Sequence, residues 1–437
     1  MIMKKNKRGH RHIFFALTFF AAAVPSVNAA PRDVYLKLTA HGQRLDLGVS
    51  EFVVGRGASV EDAKTARQAR SVAKDDLVFT RIFNIVEGGP SYTGKPDELK
   101  YWEKIGADIL LCGEFRAEAT GHYVVARLMD VEGKGEIWSK EFQFDKKESP
   151  RKMAHSIADE VVLRLSGESG IASTKIVFSN DAPGSKEIYV IDYDGYNLRR
   201  LTNENSIALL PKFSPDGKEI IYTTYYRGNP DLYSINTENL ERRAVSTTQG
   251  LNTAASFSPD SSRIVLTQSR GESPNLYLLE RDGNFIRRLT RFSGIDTSPS
   301  YSPTGNDIAF ISNRAGYPQL YIMSAEGTNF RRVSTRGFCD SPAWSPRGDR
   351  IAFTMYADGK HNIFVYEVSG GKISQLTSGE GNDENPSWSP DGRYIVFTST
   401  RNGRKELFRM FADGASQARV ADIPGKCHTP NWSPRLY

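Results

Sequence analysis

The side chains able to do chemistry are spread thinly along this chain. His41, His122, His155, His361 and His428 stand far apart, and no two have the i, i+4 spacing that puts two metal ligands on one helix face. Cys112, Cys339 and Cys427 form no C-x-x-C pair, which leaves a zinc or dithiol site without a framework. A hydrolase nucleophile would need a G-x-S-x-G elbow, and none is present. Neither a P-loop nor a strand-borne G-x-G-x-x-G cradles phosphate. The adjacent carboxylates Asp383 and Glu384 could serve acid–base catalysis, but neighbouring acids on a loop are ordinarily solvated. The many Asp-Gly pairs lack the D-x-D-x-D-G spacing of a calcium loop and read as turns. No catalytic, cofactor-binding or metal-ligating residue is expected, and no enzyme is required.

The organisation behind these residues is a repeat. Ser-Pro pairs begin at Ser214, Ser258, Ser302, Ser345, Ser389 and Ser433, at intervals of 44, 44, 43, 44 and 44 residues. An aromatic precedes each pair: Phe213, Phe257, Tyr301, Trp344, Trp388 and Trp432. Large side chains at one repeated position fill the wedge between neighbouring sheets. Five of the six Ser residues also have Pro three places earlier, with Ala255 the exception. After each Ser-Pro come a turn, a β-branched strand such as Ile264-Val265-Leu266, a polar loop, a Leu-Tyr or Ile-Phe strand, and a short fourth strand. Four antiparallel strands in about 44 residues is the period of a propeller blade. The region opens at Lys175-Ile176-Val177-Phe178, which matches a second strand. Its missing first strand stands at the other end, in Pro430-Asn431-Trp432-Ser433-Pro434. The C-terminal strand therefore closes a six-bladed ring over residues 175–437 and leaves no free sheet edge.

Residues 30–166 read as a small α/β domain with an N-terminal arm, and residues 167–174 as a linker. Strands are expected at Val34 to Leu38, Gly48 to Val54, Ile109 to Cys112, Tyr123 to Met129 and Ile137 to Phe144. Ser59 and Asp62 form a capping box for a helix carrying Val60, Ala63, Ala66, Val72, Ala73 and Leu77 on one face. Pro96 to Ile105 is a second helix. Ser149 and Pro150 open a third, which Gly167 stops. The fold class is α+β multidomain: a small α/β domain followed by an all-β six-bladed propeller.

Ahead of this stand Lys4, Lys5, Lys7, Arg8 and Arg11, then an apolar run from Ile13 to Val24, then small residues ending at Ala29 and Ala30. That order is a secretory signal over residues 1–29, with cleavage expected after Ala29. The apolar run is too short for a membrane span. The chain carries +6 overall, and residues 1–29 hold five cations and no acid, so the rest carries only +1. A nearly neutral body has no footprint for nucleic acid. An exported chain with three cysteines could form a disulfide. Yet Cys339 and Cys427 occupy one repeated position two blades apart, so free thiols are expected.

Propeller function sits on the loops around the central channel. The loops entering the innermost strands vary while the strands repeat, which suits one partner but also suits relaxed loop sequence. They supply Asn252, Asp296, Cys339, Asp340, Asp383, Glu384 and His428 as candidate mouth residues. The competing reading is a periplasmic propeller enzyme or small-molecule sensor using the channel.

The signal, the small α/β domain and the blades ending in Trp432-Ser433-Pro434 together resemble the TolB family of the Tol–Pal envelope system. Ile191-Asp192-Tyr193-Asp194-Gly195-Tyr196-Asn197 matches a stretch of that family closely. The resemblance implies a non-enzymatic periplasmic interaction protein without cofactors, supporting outer-membrane integrity and envelope constriction during division. It implies that the channel mouth binds the peptidoglycan-associated lipoprotein Pal. It also implies that the arm Arg32, Asp33, Val34, Tyr35, Leu36, Lys37 and Leu38 binds TolA. The protein would then be a monomer that meets membranes only through its partners.

Overall fold

The structure is a computed structural model that describes residues 44–436 apart from 56, 119, 120, 146, 147 and 271. The expected signal, its cleavage at Ala29 or Ala30, and the arm Arg32 to Leu38 lie outside the described residues. The first part runs β1 (Leu45–Val49), β2 (Val53–Val54), α1 (Val60–Thr80), β3 (Phe83–Val86), α2 (Pro96–Lys104), β4 (Ile109–Glu118), β5 (Gly121–Asp130), β6 (Gly135–Phe144) and α3 (Pro150–Ser166). The sheet order is β3-β1-β4-β5-β6, with β2 also paired to β4. β1 is parallel to β3 and β4, and β4, β5 and β6 are antiparallel. Ile109 and Leu111 face the core under α1 and α3, while Leu110 and Cys112 face Leu99 and Trp102 of α2. Burial on both faces explains why that strand reads as a continuous apolar run.

Local chemistry sets the helix ends. Ser59 Oγ accepts from the Asp62 amide at 3.1 Å and Asp62 Oδ2 accepts from the Ser59 amide at 2.9 Å. These bonds hold the Asp62 carboxyl below its usual range. Gly167 ends α3 at φ 74°, a conformation that favours glycine. Two expectations change. Val60 is 86% exposed and lies off the buried face of α1. Gly48 to Val54 is two strands, because the chain takes one extra residue between its pairings with Leu111 and Glu114. The Phe52 ring fills the space over Gly113, where a Cβ would come within 2.9 Å of it.

Residues from Lys175 onward form six four-stranded antiparallel sheets. Blades 2 to 6 begin with innermost strands Ala208–Phe213, Asn252–Phe257, Asp296–Tyr301, Phe338–Trp344 and Asp383–Trp388. Blade 1 takes its innermost strand from the C-terminus: Cys427–Trp432 pairs with Lys175–Asn180, Trp432 facing Ile176. The Ser-Pro repeat has a physical cause. Ser258 Oγ donates to Asp260 at 2.5 Å and accepts from the Arg263 amide at 2.9 Å, which fixes the hairpin. Ser214 and Ser389 do the same with Asp216 and Asp391. Hydrogen bonds from Ser258 and Ser262 hold the Asp260 carboxyl down to about 2. The aromatics before Ser-Pro are buried in blades 1, 2, 3 and 6, and half-buried at Tyr301 and Trp344.

The two parts share one core. Ala73, Leu77 and Val161 of α1 and α3 pack in the same cluster as Ile176, Tyr193, Tyr394 and Trp432 of the ring. Phe79 stacks on Tyr394 at 4.3 Å between ring centroids. Asp159 of α3 accepts from the amides of Ala172 and Ser173 at 2.6 and 2.9 Å, and Arg435 donates to Ser169 and Gly170 carbonyls at 2.7 and 2.8 Å. The segment expected to act as a linker is tied down on both sides.

Candidate functional site

Each innermost strand carries the same irregularity. Counting blade 5 from Cys339, the pairing slips after the second residue, at Leu209, Thr253, Thr297, Asp340, Glu384 and His428. The next residue is left-handed in every blade: Leu210, Ala254, Ser298, Ser341, Asn385 and Thr429, with φ between 47° and 57°. None is glycine, so each site stores backbone strain, six times around one axis. The bulge turns the strand edge toward the channel. Pro follows it in five blades, where the missing N–H faces no partner strand. Together these segments line a central cavity of about 390 Å³.

The residues offered by the sequence divide at the first and second positions of these strands. First-position residues are buried: Asn252, Asp296, Cys339 and Asp383 are at most 2% exposed. Both carboxylate oxygens of Asp296 accept from the one nitrogen Nη2 of Arg314, at 2.9 and 3.0 Å. Asp383 does the same with Arg401, both at 3.0 Å. Asn252 Oδ1 accepts from Ser246, Thr248 and Gln268. Cys339 Sγ lies 3.2 Å from Ser334 Oγ. These four brace the ring from within and do not face solvent. All three cysteines are free and buried. Burial pushes the Cys112 and Cys427 thiols up to about 12, so neither is a nucleophile near neutral pH.

Second-position residues reach the mouth. Asp340 is exposed, accepts from the Ser341 amide at 2.7 Å, and is pushed above its ordinary value by the enclosure of the mouth. Glu384 pairs with Lys405 and lies 3.5 Å from His361. Burial and the ammonium groups of Lys186, Lys405 and Lys426 push the His428 imidazole down to about 4; its Nε2 makes no hydrogen bond among the described residues, and Asp181 Oδ2 lies 4.0 Å from it. Blade 5 thus presents the acid Asp340 at the mouth, blade 6 the Glu384–Lys405 pair, and blade 1 a neutral histidine between Asp181 and the lysines.

The residue just before the first position belongs to the same entering loops but is not among the candidate mouth residues. Ile207 and Ile295 are each 45% exposed, Phe338 is 54% exposed and Leu251 is half-buried. They occupy one position in blades 2 to 5 and form an apolar arc on the rim. Phe338 meets Tyr317 and Tyr356 at 5.6 and 6.4 Å between centroids, widening the arc at blade 5. The signal was available as an apolar residue at one register place in four consecutive repeats. Exposed apolar surface beside charge is a composition that protein-binding faces share.

Among the described residues, Asp76, His155 and Asp194 lie close enough together to hold a metal ion. Their atoms already face one another, Tyr193 and Arg151, which makes the cluster a brace between the two parts.

A family model described as the TolB beta propeller domain matches residues 162–436. The Tol-Pal system protein TolB of Geobacter sulfurreducens is 38% identical over 219 residues, covering 48% of this chain and 50% of that protein. The protein of the same name from Roseobacter denitrificans is 34% identical over 228 residues, covering 49% of each. The chain spans about half the length of the curated relatives it matches. The crystal structure of TolB from Acinetobacter baumannii aligns with a TM-score of 0.76 at 23% identity, over 90% of this chain and 97% of that one. A chain of a nidogen/laminin complex shares the ring with a TM-score of 0.51 at 10% identity, over 60% of this chain and 100% of that one. The ring by itself therefore selects no function.

Proposed function

The chain belongs to the TolB beta propeller family, and from that premise we propose that it is a non-enzymatic periplasmic component of a Tol–Pal system. Its propeller mouth binds the lipoprotein Pal, and its N-terminal arm, Arg32 to Leu38, binds TolA. Its role is to support outer-membrane integrity and envelope constriction. The observation that carries this reading is the apolar arc Ile207, Leu251, Ile295 and Phe338 beside the acids Asp340 and Glu384. A partner would bury the aromatic and aliphatic groups at the centre and set its register by charge at the edge. The buried Asn252, Asp296, Cys339 and Asp383 contribute by holding those loops in place.

Supporting a carrier of interactions over an enzyme, the mouth offers no nucleophile–base pair among the described residues: its thiols are buried and its carboxylates are paired or dispersed. Among the described residues no helix is long and apolar enough to cross a membrane. The test is a pull-down from envelope extract with the mature chain as bait, repeated after removal of residues 30–42. Capture of Pal by both forms and of TolA by the longer form alone supports the reading. Loss of both partners on removing the arm, or capture of neither by the mature chain, rejects it.

A further inference from the structure

The wall of the central cavity is proline, serine, small and aromatic side chains, with one charged group, Lys212. Lys212 stands fifth on the innermost strand of blade 2. In four other blades that place holds a latch whose side-chain oxygen accepts the amide of the aromatic in the following blade. Asn431 Oδ1 accepts from Phe213 at 2.8 Å, Ser256 Oγ from Tyr301 at 3.4 Å, Ser300 Oγ from Trp344 at 3.1 Å and Ser387 Oγ from Trp432 at 3.0 Å. Ala343 is the remaining case, and there the Trp388 indole donates to the Ala343 carbonyl at 2.9 Å. An ammonium has no lone pair and cannot accept. Lys212 therefore gives up a contact between blades that its equivalents make.

Nothing in the described structure compensates it. The half-buried side chain of Lys212 makes no hydrogen bond or ion pair with any described residue, and desolvation alone acts on its ammonium, pushing it down to about 8. A lysine whose stem merely filled space would leave its head in water or beside a carboxylate. This one ends in a cavity of about 390 Å³ whose wall carries no carboxylate. The same wall has donors to spare: Ser300 and Ser387 accept through Oγ, and their O–H groups meet no acceptor among the described residues. The rings of Pro211, Pro299, Pro342, Pro386 and Pro430 make the rest apolar. One cation, hydroxyl donors and an apolar wall match a single carboxylate on a small apolar body.

We propose that the central channel is a binding site for a small organic monocarboxylate, held by the Lys212 ammonium and the serine hydroxyls of the wall. The carboxylate arrives on a free acid or on a glutamate side chain of an inserted loop; the recognising chemistry is the same.

The test titrates benzoate, a glutamate blocked at both ends, and inorganic phosphate into the mature chain by calorimetry. The same titrations use Lys212→Met and Lys212→Ser. Lys212→Ser restores the acceptor used in other blades, so it folds and melts no lower than the parent. Saturable binding of either carboxylate, weakened at least tenfold in both variants, supports the site. Tighter benzoate points to a free acid, and tighter blocked glutamate to a side chain. Absence of carboxylate binding, equal binding by the variants, or phosphate binding as tightly as both carboxylates overturns it.

Discussion

The Tyr193 hydroxyl donates to Asp76 Oδ1 at 2.5 Å, joining a ring strand's end to α1 across 117 residues of sequence. The other Asp76 oxygen lies 2.7 Å from His155 Nδ1 on α3, and Arg151 pairs with Asp194 beside it. All of Asp76, His155 and Tyr193 are at most 4% exposed. This buried network, not the linker alone, fixes the small α/β part on the propeller.

Tyr193→Phe keeps the ring and removes the hydrogen bond to Asp76. The expected loss is about 1.5–3 kcal/mol, typical of a hydrogen bond to a charged group, read from urea denaturation. Burial alone would lower the His155 pKa, but the hydrogen bond and charge of Asp76, helped by Asp194, outweigh it and hold the imidazolium above its ordinary value. That contribution is complete below about pH 6.5, the unfolded value. It is lost as pH rises through the raised folded value, and His155→Gln flattens this alkaline arm of the profile.

Asp296→Ala and Asp383→Ala leave Arg314 and Arg401 facing a buried gap. Removing one member of a buried pair costs about 3–5 kcal/mol, and partial solvation of both arginines places these at the lower end. Asp340→Ala, at the exposed mouth, leaves the melting temperature within about 2 °C, since surface substitutions stay within about 0.5 kcal/mol. Differential scanning calorimetry separates the two groups.

Trp432 closes the ring from the C-terminal strand, 4% exposed, its indole donating to Thr174 Oγ1 at 2.8 Å. Trp432→Ala is expected to cost about 3–5 kcal/mol. Deleting residues 428–437 exposes two strand edges and should produce aggregation on heating, followed by light scattering.

His428 is held neutral, with its pKa down at about 4. Below about pH 6.5 the unfolded chain takes up a proton that the folded chain refuses. Stability from this residue is thus present above that pH and lost as pH falls toward 4. His428→Gln should reduce the drop in urea midpoint between pH 7.5 and 5.

The ring was legible because its period is marked by groups with fixed duties: the Ser-Pro-Asp hairpin, the wedge aromatic and the split first blade. The mouth was legible only in part. Asp383 reads as a solvated loop acid and Asp296 as a mouth residue because carboxylates usually are exposed. Their partners Arg314 and Arg401 each lie 18 residues on, and that repeated spacing is the signal of a buried pair. β3 was missed because Phe83 to Val86 is a four-residue run directly after a long helix. Asp76 was hidden too, because its partners come from α3 and the ring, far away in sequence.

The central claim is that the rim of the propeller mouth is the partner face. The most direct measurement is calorimetric titration of purified Pal lipoprotein into the mature chain and into a Phe338→Ala, Asp340→Ala double variant. The account predicts saturable binding by the mature chain, weakened at least tenfold in the variant at an unchanged melting temperature. Equal affinity of the two proteins, or no binding by the mature chain, would contradict it.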